Sequence, residues 1–101
     1  MDLALTIKFM TSINYKERFK AEYWQTKERY ERLKRFCNII EAQQQITSGI
    51  NNGELEREIP QKLPHDCPLS LLRRQLDTMR EYIDVLEVRA TIENIELEDL
   101  K

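Results

Sequence analysis

The residues of this chain with the clearest chemistry are aromatic side chains set beside cationic ones. Tyr15, Trp24 and Tyr82 stand off the main apolar positions of their segments. Arg18, Lys27 and Arg89, with Lys16 and Arg80, lie near them in sequence or along the same helix. An aromatic face stacks on a nucleobase, and a guanidinium or ammonium group neutralises its phosphate. The same pairing arises at a packing interface, where the ring is covered and the charged head reaches water. Both readings stand for Tyr15, Trp24 and Tyr82, whereas Phe36, also off the main positions, fits packing best.

Other chemistries find little support. There is no glycine-rich phosphate loop, and two glycines are too few to hold a strained catalytic turn. His65, Asp66 and Cys67 are consecutive, and three adjacent residues do not fold back into an aligned triad. His65 is expected to be exposed or to cap a helix. Two cysteines and one histidine at this spacing do not make a four-ligand zinc set. No catalytic residue, metal or cofactor is expected, and the chain reads as a binding protein.

Two stretches must position these side chains. Leu69, Leu72, Leu76, Met79, Ile83, Leu86 and Ala90 step by three and four, a heptad seam along one face of a helix. Pro68 suits its first turn, with Asp66 or Cys67 before it as the cap. Upstream, Phe19, Tyr23, Thr26, Tyr30, Leu33, Cys37 and Ile40 make a second seam. It is bulky and aromatic where the later one is leucine-rich, so the two can interdigitate. Asn14, followed by Glu17 three residues on, resembles a capping box and predicts the start of this helix. Gly49 is its expected stop. The pairs Glu28/Arg32 and Glu31/Arg35 have the favourable i,i+4 orientation, worth about 0.3–0.5 kcal/mol each.

The chain has 101 residues, 41% hydrophobic and 34% charged, which bounds it to one small domain of long amphipathic helices. Its net charge of −2 is unevenly spread. Residues 15–35 carry eight basic groups against four acidic, and residues 84–101 carry six acidic against two basic. This predicts two oppositely charged helices that help each other pair, or a local anion-binding surface. The acidic total argues against extended DNA. Cys37 falls on a seam and reads as a reduced core thiol, which suits the cytosol. No signal peptide or membrane span is expected.

Residues 1–13 form an apolar arm. Leu5, Ile7 and Phe9 alternate, which leans toward a strand, although a helical turn or a loose arm fits too. The segment 49–67, with Asn51, Asn52, Pro60 and Pro64, is a connection, with one helical turn possible over Glu54–Glu58. It is long enough for the helices to pair antiparallel, or for the second helix to reach a neighbouring copy. After Ala90, Ile92, Ile95, Leu97 and Leu100 continue irregularly, predicting an acidic helix end that frays. Thr78, Tyr82, Val85 and Ile92, with Arg89 among them, make a second apolar line on the later helix. A helix apolar on two sides usually buries both, so a homo-oligomer is expected.

These residues carry a resemblance. Tyr15-Lys-Glu-Arg-Phe19, Glu22-Tyr-Trp24 and Arg29-Tyr-Glu-Arg-Leu33 resemble the first helix of small phage-encoded helical proteins of the crAss-like phage type. His65-Asp-Cys-Pro-Leu69, then Leu72, Gln75, Met79, Tyr82, Leu86, Arg89 and Ala90, is similar to their second helix. The match runs over residues 15–97. The second helix also resembles, more distantly, the helical hairpin of phage anti-CBASS and anti-Thoeris proteins. Those act as sponges, oligomers that sequester cyclic nucleotide immune signals without cleaving them.

The resemblance implies a phage counter-defence protein in the cytosol of the infected bacterium. Its ligand would be a cyclic di- or oligonucleotide, or a cyclic ADP-ribose-type signal. What carries over residue by residue is the hairpin, Tyr82 and Arg89. Tyr15, Arg18, Trp24 and Lys27 join them as ligand-binding candidates on physical grounds alone. The expected fold is all-α: an arm over 1–13, then a domain over 14–101 with helices 14–48 and 68–97 as an antiparallel hairpin, joined by a loop over 49–67 and assembled as a homo-oligomer. The alternative is a protein-interaction module that inhibits a host defence protein or assists phage assembly.

Overall fold

In the computed structural model, residues 3–54, 56 and 65–98 are described, with side chains from Thr6 onward. The described residues form three helices: α1 (Leu3–Met10), α2 (Tyr15–Asn51) and α3 (Leu69–Glu93). At about 1.5 Å per residue, the 37 residues of α2 span roughly 55 Å. That matches the 58 Å long axis of the molecule, so α2 is the rod on which α1 and α3 are laid.

Side-chain hydrogen bonds link α2 and α3 in reverse order. Tyr82 meets Glu22, Tyr23 meets Glu87, and Arg73 meets Asn38 and Glu41. The two helices therefore lie antiparallel. The core between them is made by the two seams. Phe19, Tyr23, Ile83, Leu86, Ala90 and Ile95 form one buried cluster, with Trp24, Tyr30 and Leu97 partly buried against it. Bulky Phe19 and Tyr23 on one helix share this cluster with small Ala90 on the other, which lets the backbones approach. Every buried residue of α3 (Leu76, Ile83, Leu86 and Ala90) lies on its seam.

The helix ends differ from the expected ones in instructive ways. Asn14 does cap α2, its Oδ1 accepting the N–H of Lys16 at 2.9 Å. The reciprocal arm of the capping box is absent: the N–H of Asn14 goes to the Ser12 hydroxyl, and Glu17 takes no part. Gly49 does not stop α2, which runs to Asn51. The left-handed residue is Gly53 (φ 76°). Its N–H reaches Ile50 O, and the Glu54 N–H reaches Gly49 O at 2.8 Å. These are the two bonds of a Schellman motif, which needs its glycine after the last carbonyls rather than among them. Residues 55 and 57–64 of the expected loop, and with them most of the possible helical turn over Glu54–Glu58, fall outside the described residues.

At the start of α3, Pro68 is itself the cap residue, with no capping side chain. Its carbonyl accepts from Leu71 and Leu72. The helix end over 94–97 is corrected as well. Asn94 turns left-handed (φ 58°), and the N–H groups of Asn94 and Ile95 both converge on Ala90 O. The reversal brings Ile95 and Leu97 back against the core, so the seam's apolar line ends in a fold-back instead of a frayed helix.

Residues 3–10 are helical, which corrects the leaning toward a strand. A lone strand has no ladder partner, whereas a short helix bonds its own backbone. The helix also sets Thr6, fully buried, against α2, where its hydroxyl accepts from Gln25 Nε2 at 2.9 Å. That contact accounts for the burial of Gln25, a residue off the α2 seam.

Among the described residues, the opposite charge blocks form no ion pair with each other, and the ion pair joining α2 to α3 is Glu41–Arg73, outside both blocks. Glu28–Arg32, Arg80–Asp84 and Arg89–Glu93 close along their own helices, whereas Glu31 and Arg35 do not. Cys37 is a buried free thiol in the core. His65, partly buried, has its Nδ1 2.8 Å from the carbonyl oxygen of Cys67 and sets its ring edge-on to Phe36.

Candidate functional site

Where α1 ends and α2 begins, the chain faces the later half of α3 across an open groove of about 360 Å³. Its lining is Met10, Tyr15, Arg18, Phe19, Glu22, Tyr82, Leu86 and Arg89. That volume falls in the lower part of the range that small-molecule sites occupy. Phe19 and Leu86 belong to the core and form the apolar base, while the other side chains rise around it. Tyr15, Arg18, Phe19 and Glu22 recur at three or four residues along α2. Tyr82, Leu86 and Arg89 do so along α3, so each helix presents one stripe to the groove.

Each polar group is held by a named partner. Arg18 donates from Nη1 to the carbonyl of Ser12 at 2.6 Å, crossing back to the turn between α1 and α2. Arg89 Nε donates to Glu93 at 2.8 Å, and its guanidinium carbon lies 4.9 Å from the centre of the Phe19 ring. With Nε engaged there, the two terminal nitrogens form the fork that grips phosphate or carboxylate. The hydrogen bond to Glu93 raises the pKa of Arg89 above its ordinary range, outweighing the opposing effect of desolvation. The Tyr82 hydroxyl donates to Glu22 Oε1 at 3.1 Å. Desolvation, then the neighbouring Glu22 charge, holds that phenol protonated above its usual range.

Of the six candidate residues, Tyr15, Arg18, Tyr82 and Arg89 share this groove. Trp24 and Lys27 do not line it. Trp24 packs against the core with its ring edge-on to Tyr23, centroids 5.1 Å apart, and its buried Nε1–H has no hydrogen-bond partner. It follows Tyr23 by one residue, so its large ring overlaps the edge of the seam and is drawn in by its own area. Lys27 sits 5.8 Å from the Tyr23 ring centre as a cation–π contact. Sequence reasoning missed Met10, Phe19, Glu22 and Leu86 as lining. Phe19 and Leu86 were legible only as core, and Glu22 only as one acid in a basic stretch.

Among the described residues, no group of three or more His, Cys, Asp or Glu side chains is placed to hold a metal ion. No described helix is long and apolar enough to cross a membrane. Fold and groove together define an all-helical protein with a ligand-sized concavity between two antiparallel helices. A family model described as Sequestin matches residues 13–92, and the chain belongs to that family. The name suggests the sequestering of a ligand. No curated protein and no solved structure matches the chain.

Proposed function

We propose that this protein sequesters a nucleotide-type immune signal, such as a cyclic di- or oligonucleotide or a cyclic ADP-ribose isomer, as a phage counter-defence protein. The observation that carries the reading is the convergence of two tyrosines and two arginines, drawn from two helices, on one groove. Tyr15 and Tyr82 stack on bases, and Arg18 and Arg89 neutralise phosphates. The ligand is bound and not cleaved. Free signal falls by tight stoichiometric binding, so affinity and copy number decide the outcome.

The reading includes a homo-oligomer with the hairpin as its unit. Leu71, Tyr82, Val85, Val88 and Ile92 are all exposed on α3, with Ile92 at 77%. A second copy on this stripe would lie beside Tyr82 and Arg89 and deepen a groove that one chain leaves open. Thermal shift against a panel of cyclic di- and trinucleotides and cyclic ADP-ribose isomers tests the reading. A rise in melting temperature with at least one member is expected, and no shift with any of them removes it. The same exposed stripe favours a second reading, a module that docks on a host defence or phage assembly protein. One stoichiometric protein recovered from bacterial lysate, with no nucleotide in the purified sample, would favour that alternative.

A further inference from the structure

We propose that Glu22 is the acceptor that reads the exocyclic amine of a nucleobase in the groove, an assignment that rests on the nucleotide reading above. Glu22 is a carboxylate that shares the groove with two arginines, neither of which pairs with it. Arg18 is turned to the Ser12 carbonyl and Arg89 to Glu93. Both hydrogen bonds that Glu22 accepts end on one oxygen. Oε1 takes the Tyr82 hydroxyl at 3.1 Å and the Thr26 hydroxyl at 3.4 Å, while Oε2 takes part in neither. Two hydroxyls, one from each helix, thus engage one oxygen of a half-buried carboxylate that lines the groove.

Beyond its tie to Tyr82, such a group gives a phosphate nothing, because a carboxylate only accepts and repels a second anion. Its complement is a hydrogen-bond donor, and on a nucleotide the donor lying farthest from the phosphates that the arginines hold is the base amine. On a nucleotide the donors nearest the phosphate-bearing sugar are hydroxyls, whereas the base carries amines at its far edge. The cationic side of the groove and the acceptor side then take opposite ends of one nucleotide, and a base whose amine is replaced by a carbonyl turns a lone pair toward Oε2. An unpaired or mispaired polar group in a partly desolvated site costs far more than a missing contact in water.

Isothermal titration of the full chain with two ligand pairs tests this: cyclic ADP-ribose with its deaminated inosine analogue, and cyclic di-AMP with cyclic di-IMP. For any pair that binds, the amine form should bind about ten- to a hundred-fold more tightly. In Glu22→Gln that preference should collapse or invert, because the glutamine amide can donate to the carbonyl. Circular dichroism of Glu22→Gln should keep its helical signal. Equal affinity within each pair, or a preference that survives Glu22→Gln, overturns the assignment and leaves the nucleotide reading standing. Absence of binding by all four overturns the assignment, and absence across the wider panel overturns the nucleotide reading as well.

Discussion

The Tyr82 hydroxyl on α3 donates to the Glu22 carboxylate on α2 at 3.1 Å, fastening the two helices at the groove itself. Tyr82 is 42% exposed, so water competes for this bond. Tyr82→Phe keeps the ring and removes the tie. The expected loss is about 0.5–1 kcal/mol, or several degrees in melting temperature for a domain of this size. Thermal denaturation followed by circular dichroism reads it, and an unchanged melting temperature would show that the bond adds nothing.

Tyr23 carries a pH dependence. Burial first, then the Glu87 charge and hydrogen bond, pushes its phenol up from the ordinary 10.0 to about 12. The folded state therefore favours the protonated phenol. Its contribution is fully present below pH 10 and is lost as pH rises from about 10 to about 12, with a ceiling of about 3 kcal/mol. Alkaline denaturation of the wild type should steepen across that window. Tyr23→Phe should flatten this step, at a cost of about 1 kcal/mol near neutrality.

Leu86 is buried to 2% exposure at the centre of the cluster and also forms the base of the groove. Leu86→Ala should cost about 2–5 kcal/mol through lost burial and a residual cavity. Urea denaturation measures it. A cost below 1 kcal/mol would mean that the site collapses freely and the two seams are loosely packed.

Arg89 is aimed by Glu93. In the nucleotide reading, Arg89→Ala and Arg18→Ala each weaken ligand binding by about ten-fold or more. Glu93→Gln keeps a hydrogen-bond acceptor but weakens the clamp, so its effect should be smaller. Lys27→Ala, on a side chain outside the groove, should bind as the wild type does. Titration of the four variants with the same ligand ranks them, and equal losses from Arg89→Ala and Lys27→Ala would contradict the geometry.

Thr6 on α1 accepts from Gln25 on α2 in a buried bond. Thr6→Val leaves the amide of Gln25 without that acceptor, at about 1–3 kcal/mol. Faster amide exchange over residues 3–10 than in the wild type is the expected sign. Unchanged protection there would mean that α1 is held by other contacts.

The long helices were legible because α3 buries a single stripe and α2 turns one clean seam to it, with a period of three and four. The face that α2 turns to α1, at Gln25, left no such period. The segments that read less clearly answer to more than one constraint. Alternation at Leu5, Ile7 and Phe9 points to a strand, but the described residues offer no ladder partner and α2 offers a face, so α1 coils. Gly49 and Gly53 are both plausible stops, and only the carbonyls reached by the N–H groups of Gly53 and Glu54 decide between them. Ile95 and Leu97 look like a decaying helix until Asn94 turns left-handed. The groove is a product of pairing. Glu22 and Tyr82 lie 60 residues apart, and nothing local announces that they meet.

Native mass spectrometry of the protein purified from bacteria producing cyclic nucleotide signals tests the central claim most directly. An assembly of more than one copy carrying retained adducts of nucleotide mass, lost in Arg89→Ala, is the expected result. A single chain with no adduct, from cells shown to contain the signals, would contradict it.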